Sequence, residues 1–450
     1  MSILAGLPDD IILEIIDHVH SRTLCDSILL NNWPVVASRV CRRWRALLLG
    51  HTRYWSDVRI RLWIPIDLNK AQVYLARSGE CPLDVRLYSG TTGAVDVRQV
   101  HHAMYLLIPQ LFRWRRFVAV VDGAELAERI ITVLRERRAE WLETFEIHNS
   151  GIDDGPSLCS DRLVLALSGG VPALKCHRLG SLGLTWTSAS GPIPLLQGLT
   201  TLELYSDGCD EMPTQTFKDL LAASPRLEHL VLHGYMIVRA PGEPERVEAC
   251  HLSEMRRLVI GWLPDHDEID SYRRPWLLIK WTKLQELKVV GDILDFLGNL
   301  SEEIVDYSPI TTLILQETVA WHHLPRYPSL LTVLATFRGL RHMCAVTSSK
   351  RSRRFLRHFL APEVDPSRNR RMAVQSLTIP VSEAHLLRKL FGFLAIEHLR
   401  LLADPRYDFS ADAATLDYLA AHVCRVERKM VGDSEGSGVP DEEGVQYLPS

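Results

Sequence analysis

The sequence predicts an α/β solenoid preceded by a small N-terminal helical module. Three observations predict it. A short motif, apolar-x-x-apolar-x-apolar, recurs at a nearly constant step over much of the chain. The first sixty residues instead carry the apolar periodicity of helices. The composition is that of an ordinary globular chain, with 46% hydrophobic and 24% charged residues in 450, which excludes wholesale disorder and a fibrous protein.

The module comes first. Leu7-Pro8-Asp9-Asp10 opens a helix, because proline suits a first helical position and the two acids favour the positive end of the helix dipole. Ile11, Ile12, Ile15, Ile16 and Val19 then draw one broad apolar stripe. Ser21–Trp33 reads as a short helix plus loop. A second helix is expected from about Pro34 to Leu49, with Val36, Val40, Trp44 and Leu47 on its apolar side and Arg39, Arg42, Arg43 and Arg45 on its wet side. Trp55 closes the segment. A unit this small buries little on its own, so its stripes must meet either the body of the protein or a partner helix.

These residues resemble an F-box. The resemblance lies in Leu7-Pro8-(x)2-Ile11-Ile12-(x)2-Ile15-Ile16, then Val40-Cys41-Arg42-Arg43-Trp44-(x)2-Leu47, then Tyr54-Trp55. Asp10 stands where the family usually has glutamate, and the link to Val40 is longer than usual. The resemblance implies binding to the Skp-type adaptor of cullin–RING ubiquitin ligases, and through it to a cullin. Leu7, Pro8, Ile11, Ile12 and Ile15 would be adaptor-facing or supporting. Val40 and Trp44 would partly brace the module's own core.

The body comes next. Clear copies of the motif have their second apolar residue at Leu202, Leu230, Leu258, Leu287, Leu313, Met343, Leu377 and Leu399. The steps between them are 28, 28, 29, 26, 30, 34 and 22 residues. Weaker copies precede them at Trp114–Ala119, Leu142–Ile147 and Leu179–Leu184. Each copy reads as a short strand with two inward side chains. The chain between copies returns as helix or loop, as in Thr214–Ala223. A single repeat cannot bury its apolar face, so the repeats must stack. The pattern resembles the leucine-rich repeat, without that family's Asn or Cys after the last leucine; Asp207, Asp292 and Asp404 stand there in three copies. The expected array is therefore irregular and bears insertions. The run Tyr74–Leu87 is also similar to fungal F-box proteins that precede such repeats, which places the start of the body near Ile60.

The expected organisation is a helical module over 1–58, a linking helix and strand with the first cap over 59–110, and the leucine-rich-repeat-like array over 111–405. A helical C-terminal cap over 406–430 and an acidic, disordered tail over 431–450 complete it. Alternation along the strands turns Glu203, Tyr205, His229, His233, Arg257, Lys288, Gln316 and Arg400 outward. They are the candidate contacts to a target protein. The resulting face is of mixed charge and suits a protein more than a small molecule.

Several classes of function find no support. Fifty-one Lys and Arg against 55 Asp and Glu give a net charge of −4, which lacks the basic field of a nucleic-acid binder. Nine cysteines stand singly, without a C-x-x-C pair, as expected of free thiols in a reducing compartment. No secretory signal opens the chain and no apolar run is long enough to cross a membrane, so a cytoplasmic or nuclear protein is expected. The basic stretch Ser348–Met372 reads as a solvated insertion or a nuclear address. No nucleophile elbow, phosphate-binding loop or dinucleotide fingerprint is present. His101-His102, His322-His323 and Pro264–Glu268 lack a second cluster at ligand spacing, and neither metal nor cofactor is expected. The reading is a non-catalytic substrate receptor of a ubiquitin ligase. The alternative is a repeat scaffold whose N-terminal helices merely cap the stack.

Overall fold

The computed structural model describes residues 7–25, 33–90, 97–149, 167, 169–180, 197–239, 248–261, 272–273, 278–291, 307–316, 337–346, 372–381, 394–403 and 425–430. The protein is an α/β fold whose strands are overwhelmingly parallel. It divides into two compact units, Met1–Leu195 with Gly436–Ser450, and Leu196–Glu435.

The first unit opens with α1 (Asp9–Cys25), α2 (Trp33–Ala37) and α3 (Arg42–Gly50). The single helix expected over Pro34–Leu49 is thus two. The break has a local cause: Cys41 is extended, with φ −159°, and its sulfur accepts the Trp44 N–H, so the middle of the V-C-R-R-W motif is a helix N-cap. Five strands follow: β1 (Asp57–Arg61), β2 (Leu83–Tyr88), β3 (Trp114–Val121), β4 (Thr144–Asn149) and β5 (Cys176–Gly180). They pair in that order, all parallel. Parallel neighbours need a crossover. It is supplied by α4 (Pro65–Arg77), α5 (Val97–Leu107) and α6 (Ala124–Val133). Helix α5 buries Val100, Ala103, Met104 and Leu107, the i, i+3, i+4, i+7 face of a helix laid on a sheet.

Register makes the repeat visible. Val58, Val85, Phe117, Phe145 and His177 lie side by side across β1 to β5. Three expectations change here. The stacked strands begin at Asp57, close to the start of the body expected near Ile60, and the stretch expected as linking helix, strand and first cap holds most of β1 and all of β2, two strands of the stack. The copy expected at Leu179–Leu184 is displaced: the strand is Cys176–Gly180, and the residue in the middle of its motif is a histidine. Residues 181–184 lie outside the described residues. The module boundary at 58 also falls inside β1.

In the second unit β6 (Thr201–Pro213), β7 (His229–Val238), β9 (Arg257–Gly261), β12 (Glu286–Val290), β13 (Thr312–Gln316), β14 (His342–Val346), β15 (Met372–Val381), β16 (Leu394–Ala403) and β17 (Arg425–Met430) form one parallel series. The middle apolar residues align one to one, Leu202 with Leu230, Leu258, Leu287, Leu313, Met343, Leu377 and Leu399. All eight are at most 1% exposed. Helix α7 (Thr214–Ala223) returns the chain from β6 to β7, as Thr214–Ala223 was expected to do. The short β8 (Cys250–Leu252) pairs with β11 (Ile279–Trp281) just ahead of β9 and β12, and β10 (Tyr272–Arg273) runs antiparallel beside β7. Residues 425–430, expected within a helical cap, are instead strand β17, which continues the register through Leu399 and Val426. The rest of that cap, the basic insertion over 348–371, the tail, and Asp207's side chain with Asp292 and Asp404 are outside what is described.

Two backbone devices hold each repeat. A tight turn three residues ahead of the middle leucine closes through Leu227 N–H to Ser224 O, Met255 N–H to Leu252 O, Ile310 N–H to Tyr307 O and Leu340 N–H to Phe337 O, at 3.1–3.3 Å. One carbonyl of each repeat then receives two successive amides of the next. Thr200 O accepts from Glu228 and His229, Glu228 O from Arg256 and Arg257, and Arg256 O from Gln285 and Glu286. These amides and carbonyls are thereby satisfied by other backbone groups.

The core of the first unit is a column of rings. Trp114 stacks on Phe117 at 4.9 Å, Phe117 on Phe145 at 5.5 Å, and Phe145 on His177 at 5.4 Å. Arg113, only 2% exposed, donates to Leu75 O, Cys81 O and the Ser78 hydroxyl, and so satisfies the carbonyls where α4 ends.

Candidate functional site

Helix α1 carries two adjacent stripes, one buried and one exposed. Ile12 and Ile16 are 0% and 1% exposed and anchor the module with Leu48, Tyr54 and Trp55. Ile11, Ile15 and Val19, spaced i, i+4, i+8, are 39%, 37% and 42% exposed. One residue advances a helix by about 100°, so the paired isoleucines of the sequence divide into an inward and an outward row. Val36 and Val40 add outward apolar groups on the segment leading into α3, and Leu49 adds another near its end.

The polar contacts explain why the inward row is fixed. Arg43 Nε donates to Asp9 at 2.6 Å, tying the start of α3 to the start of α1. The Tyr54 hydroxyl donates to Asp17 at 2.7 Å, and Arg53 donates to the same carboxylate at 2.8 Å. Trp55 Nε1 donates to Leu48 O at 2.8 Å, which caps the C-terminal end of α3. His20 lies against the rings of Trp33 and Tyr54 at 5.1 and 5.7 Å, and burial there lowers its pKa.

Of the residues expected to face or support the adaptor surface, Pro8, Ile11 and Ile15 are exposed and Leu7 is half-buried; of the two expected partly to brace the module's own core, Trp44 is half-buried, but Val40 is exposed and braces nothing there. Ile12 is sealed inside and can act only as support. Val19 and Val36, not among those expected, share the exposure.

The second candidate surface is the polar side of the second unit's strands. Two rows are read directly from the register. One runs Thr201, His229, Arg257, Glu286, Thr312, His342, Ser376, His398; the other runs Glu203, Val231, Val259, Lys288, Ile314, Cys344, Thr378, Arg400. Of the expected target contacts, Glu203, Tyr205, His229, His233, Arg257, Lys288 and Gln316 are half-buried and Arg400 is exposed. Arg257 Nε donates to Glu286 at 2.8 Å, and the Tyr205 hydroxyl to Glu203 at 3.1 Å. Val231 and Val259, each 6% exposed, form an apolar patch between these polar groups. The His233 ring lies over Gly261 of the next strand, in space that a Cβ would fill. His148 lies over Gly180 in the same way in the first unit. Both pairs occupy the same place in the repeat, three residues beyond the middle position.

In the first unit the corresponding face carries Glu146, 3% exposed, whose Oε1 accepts from Arg116 at 2.8 Å and Arg178 at 3.2 Å. Burial pushes the Glu146 carboxyl up, but hydrogen bonding with His148 and the charges of Arg116 and Arg178 outweigh it and hold the pKa at about 2.

Among the described residues no group of three or more His, Cys, Asp or Glu is placed to hold a metal ion. His101 and His102 are exposed on α5, and 262–271 and 322–323 lie outside the described residues. Cys41, Cys81, Cys176, Cys250 and Cys344 are free thiols. No described helix is long and apolar enough to cross a membrane. No protein-family model matches the chain, and no curated protein matches it.

Proposed function

We propose that the chain is the substrate-recognition subunit of a Skp–cullin–F-box type ubiquitin ligase and is itself non-catalytic. The observation that carries this reading is the outward row Ile11, Ile15 and Val19 beside a fully buried Ile12 and Ile16. A terminal cap needs only the inward row. An exposed second row on a helix whose own core is already complete is what a helix-packing partner requires. Covering each of those side chains is worth about 1–2 kcal/mol. In this reading the adaptor packs on α1 and on the segment around Val36 and Val40, and the adaptor links the chain to a cullin. The polar strand face of the second unit holds a target protein, with Glu203, Tyr205, His229, His233, Arg257, Lys288, Gln316 and Arg400 as contacts. The contribution to rate is proximity: target lysines are held where a charged conjugating enzyme can reach them.

Co-precipitation of the full chain with a Skp-type adaptor tests this. The wild-type chain should retain the adaptor, and Ile11→Asp/Ile15→Asp should release it while leaving the melting temperature within a few degrees. Failure of the folded wild-type chain to retain the adaptor would leave the scaffold reading, in which the helices only cap the repeats.

A further inference from the structure

Arginine carries most of the positive charge of this chain. The sequence has 42 arginines and nine lysines, although lysine is ordinarily among the commonest residues. Residues 1–195, which include the adaptor-facing row proposed on α1, hold 20 arginines and only Lys70 and Lys175.

The structure shows where geometry asks for arginine and where it does not. Arg113 is buried and spreads its fork over Leu75 O, Cys81 O and the Ser78 hydroxyl, which an ammonium group could not match. Arg129, Arg135, Arg138 and Arg256 are different. Their side chains are 46–62% exposed, and each meets a glutamate at 3.2–3.6 Å. A lysine serves an exposed pair of this kind as well. Most of the described lysines are themselves engaged or sheltered. Lys70 binds the buried Asp67, Lys175 binds Glu143 and Lys283 binds Glu254. Lys218 and Lys288 are half-buried, and Lys280 is exposed. The side chains of Lys350, Lys389 and Lys429 lie outside the described residues.

What separates the two residues at an exposed site is reactivity. A lysine amine with a pKa near 10.4 is unprotonated in about one molecule in a thousand at about pH 7.4, and that form is nucleophilic. A guanidinium group titrates above about 12 and stays charged. In ubiquitin transfer the free Nζ amine attacks the thioester carbonyl on the charged conjugating enzyme. The isopeptide C–N bond forms, the C–S bond breaks, the enzyme's thiol leaves and Nζ gives up a proton. A receptor held on its adaptor stays near that thioester for as long as it is bound, whereas a target comes and goes. The receptor's own amines therefore compete with those of the target.

We propose that arginine replaces lysine over the surface of this chain so that the receptor escapes the ubiquitin transfer it promotes. The inference rests on the ligase reading and adds to it a reason for the choice between two residues of equal charge.

The test uses the full chain assembled with a Skp-type adaptor, cullin, RING protein, conjugating enzyme and lysine-free ubiquitin, so that each acceptor adds one ubiquitin. Wild type is compared with a protein carrying Arg129→Lys, Arg135→Lys, Arg138→Lys, Arg226→Lys, Arg256→Lys and Arg341→Lys, three in each unit, all at exposed positions and all preserving charge. Thermal melting should place the two within a few degrees. The six-lysine protein should take up ubiquitin several times faster than wild type, with isopeptide bonds mapped by mass spectrometry to the introduced lysines. Reductive dimethylation, which keeps the charge and removes the N–H that is acylated, should abolish the gain. Equal modification of the two proteins in an intact complex, or a gain confined to the original lysines, would overturn this inference alone. Failure of the folded wild type to retain the adaptor would overturn the ligase reading and this inference together.

Discussion

His177 occupies a position that leucine, valine, methionine or phenylalanine fills in every neighbouring repeat, and replacing it with leucine should stabilise the protein. The ring is fully buried, stacked on Phe145, and neither ring nitrogen has a hydrogen-bond partner of good geometry. A buried donor or acceptor left unmade costs about 1–3 kcal/mol, and the lost ring contact with Phe145 is worth about 1 kcal/mol. His177→Leu should therefore gain about 1–2 kcal/mol near neutral pH. The larger effect is its pH dependence. Burial lowers the pKa of His177 to about 4, against the weaker raising effects of the Phe145 backbone and the Glu146 charge. The folded pKa lies below the unfolded value near 6.5, so between those values the unfolded chain binds the extra proton, and stability falls as pH falls. The wild type should lose about 2 kcal/mol between pH 6.5 and about pH 5, and about 3 kcal/mol by about pH 4; the leucine variant loses none of it. Hydrogen exchange of the β4 and β5 amides, measured in both proteins from about pH 7 to pH 5, isolates this term from the other titrating groups. A difference between the two proteins that stays constant over that range would refute the claim that the histidine is held neutral in the core.

Three further outcomes follow from the packing. Ile12→Asp should destabilise the module by more than about 3 kcal/mol, whereas Ile15→Asp, one turn away on the outward row, should stay within about 0.5 kcal/mol of wild type; urea titration followed by tryptophan fluorescence separates them. Asp67 is fully buried and accepts from Arg61 at 2.7 Å and Lys70 at 3.0 Å, so Asp67→Asn should cost about 3 kcal/mol. Burial would raise the Asp67 pKa, but those two partners hold it below its ordinary value, so this contribution is present above about pH 4 and fades as pH falls further; the melting temperatures of variant and wild type should converge in acid. Leu287→Ala, in the middle row, should cost about 2–5 kcal/mol, while Lys288→Ala beside it should change thermal stability by less than about 0.5 kcal/mol.

From Leu202 onward the repeat is legible in the sequence. From Leu202 to Leu399 the sequence motif and the strand register coincide residue for residue. Where the core is polar the pattern misleads. Leu179, Leu182 and Leu184 imitate the motif, while the true strand places His177 at the centre, and no count of apolar residues can find a buried histidine. The strand at Leu83 is expected from the sequence, but neither it nor the strand at Asp57 is recognised there as a copy of the repeat, because Trp55, Val58 and Ile60 repeat the motif with an aromatic first residue, and the next copy opens on Pro82. On the module, the helical stripe was plain, but its division into an inward and an outward row depends on rotation about the axis and on Arg43, Tyr54 and Trp55, which lie far along the chain. The capping role of Arg113 carries no local sign at all, since its acceptors lie 32–38 residues away.

In the second unit the steps between middle residues vary from 22 to 34, yet the middle row stays in register from Leu202 to Leu399. The middle row of the strand face behaves as a ruler with graduations about 4.8 Å apart. An extended polypeptide laid across those graduations advances about 3.3 Å per residue, so three of its residues match two strands. The face would then act as a vernier, meeting a bound segment in the same phase at every third side chain and discriminating against partners whose charges are spaced otherwise.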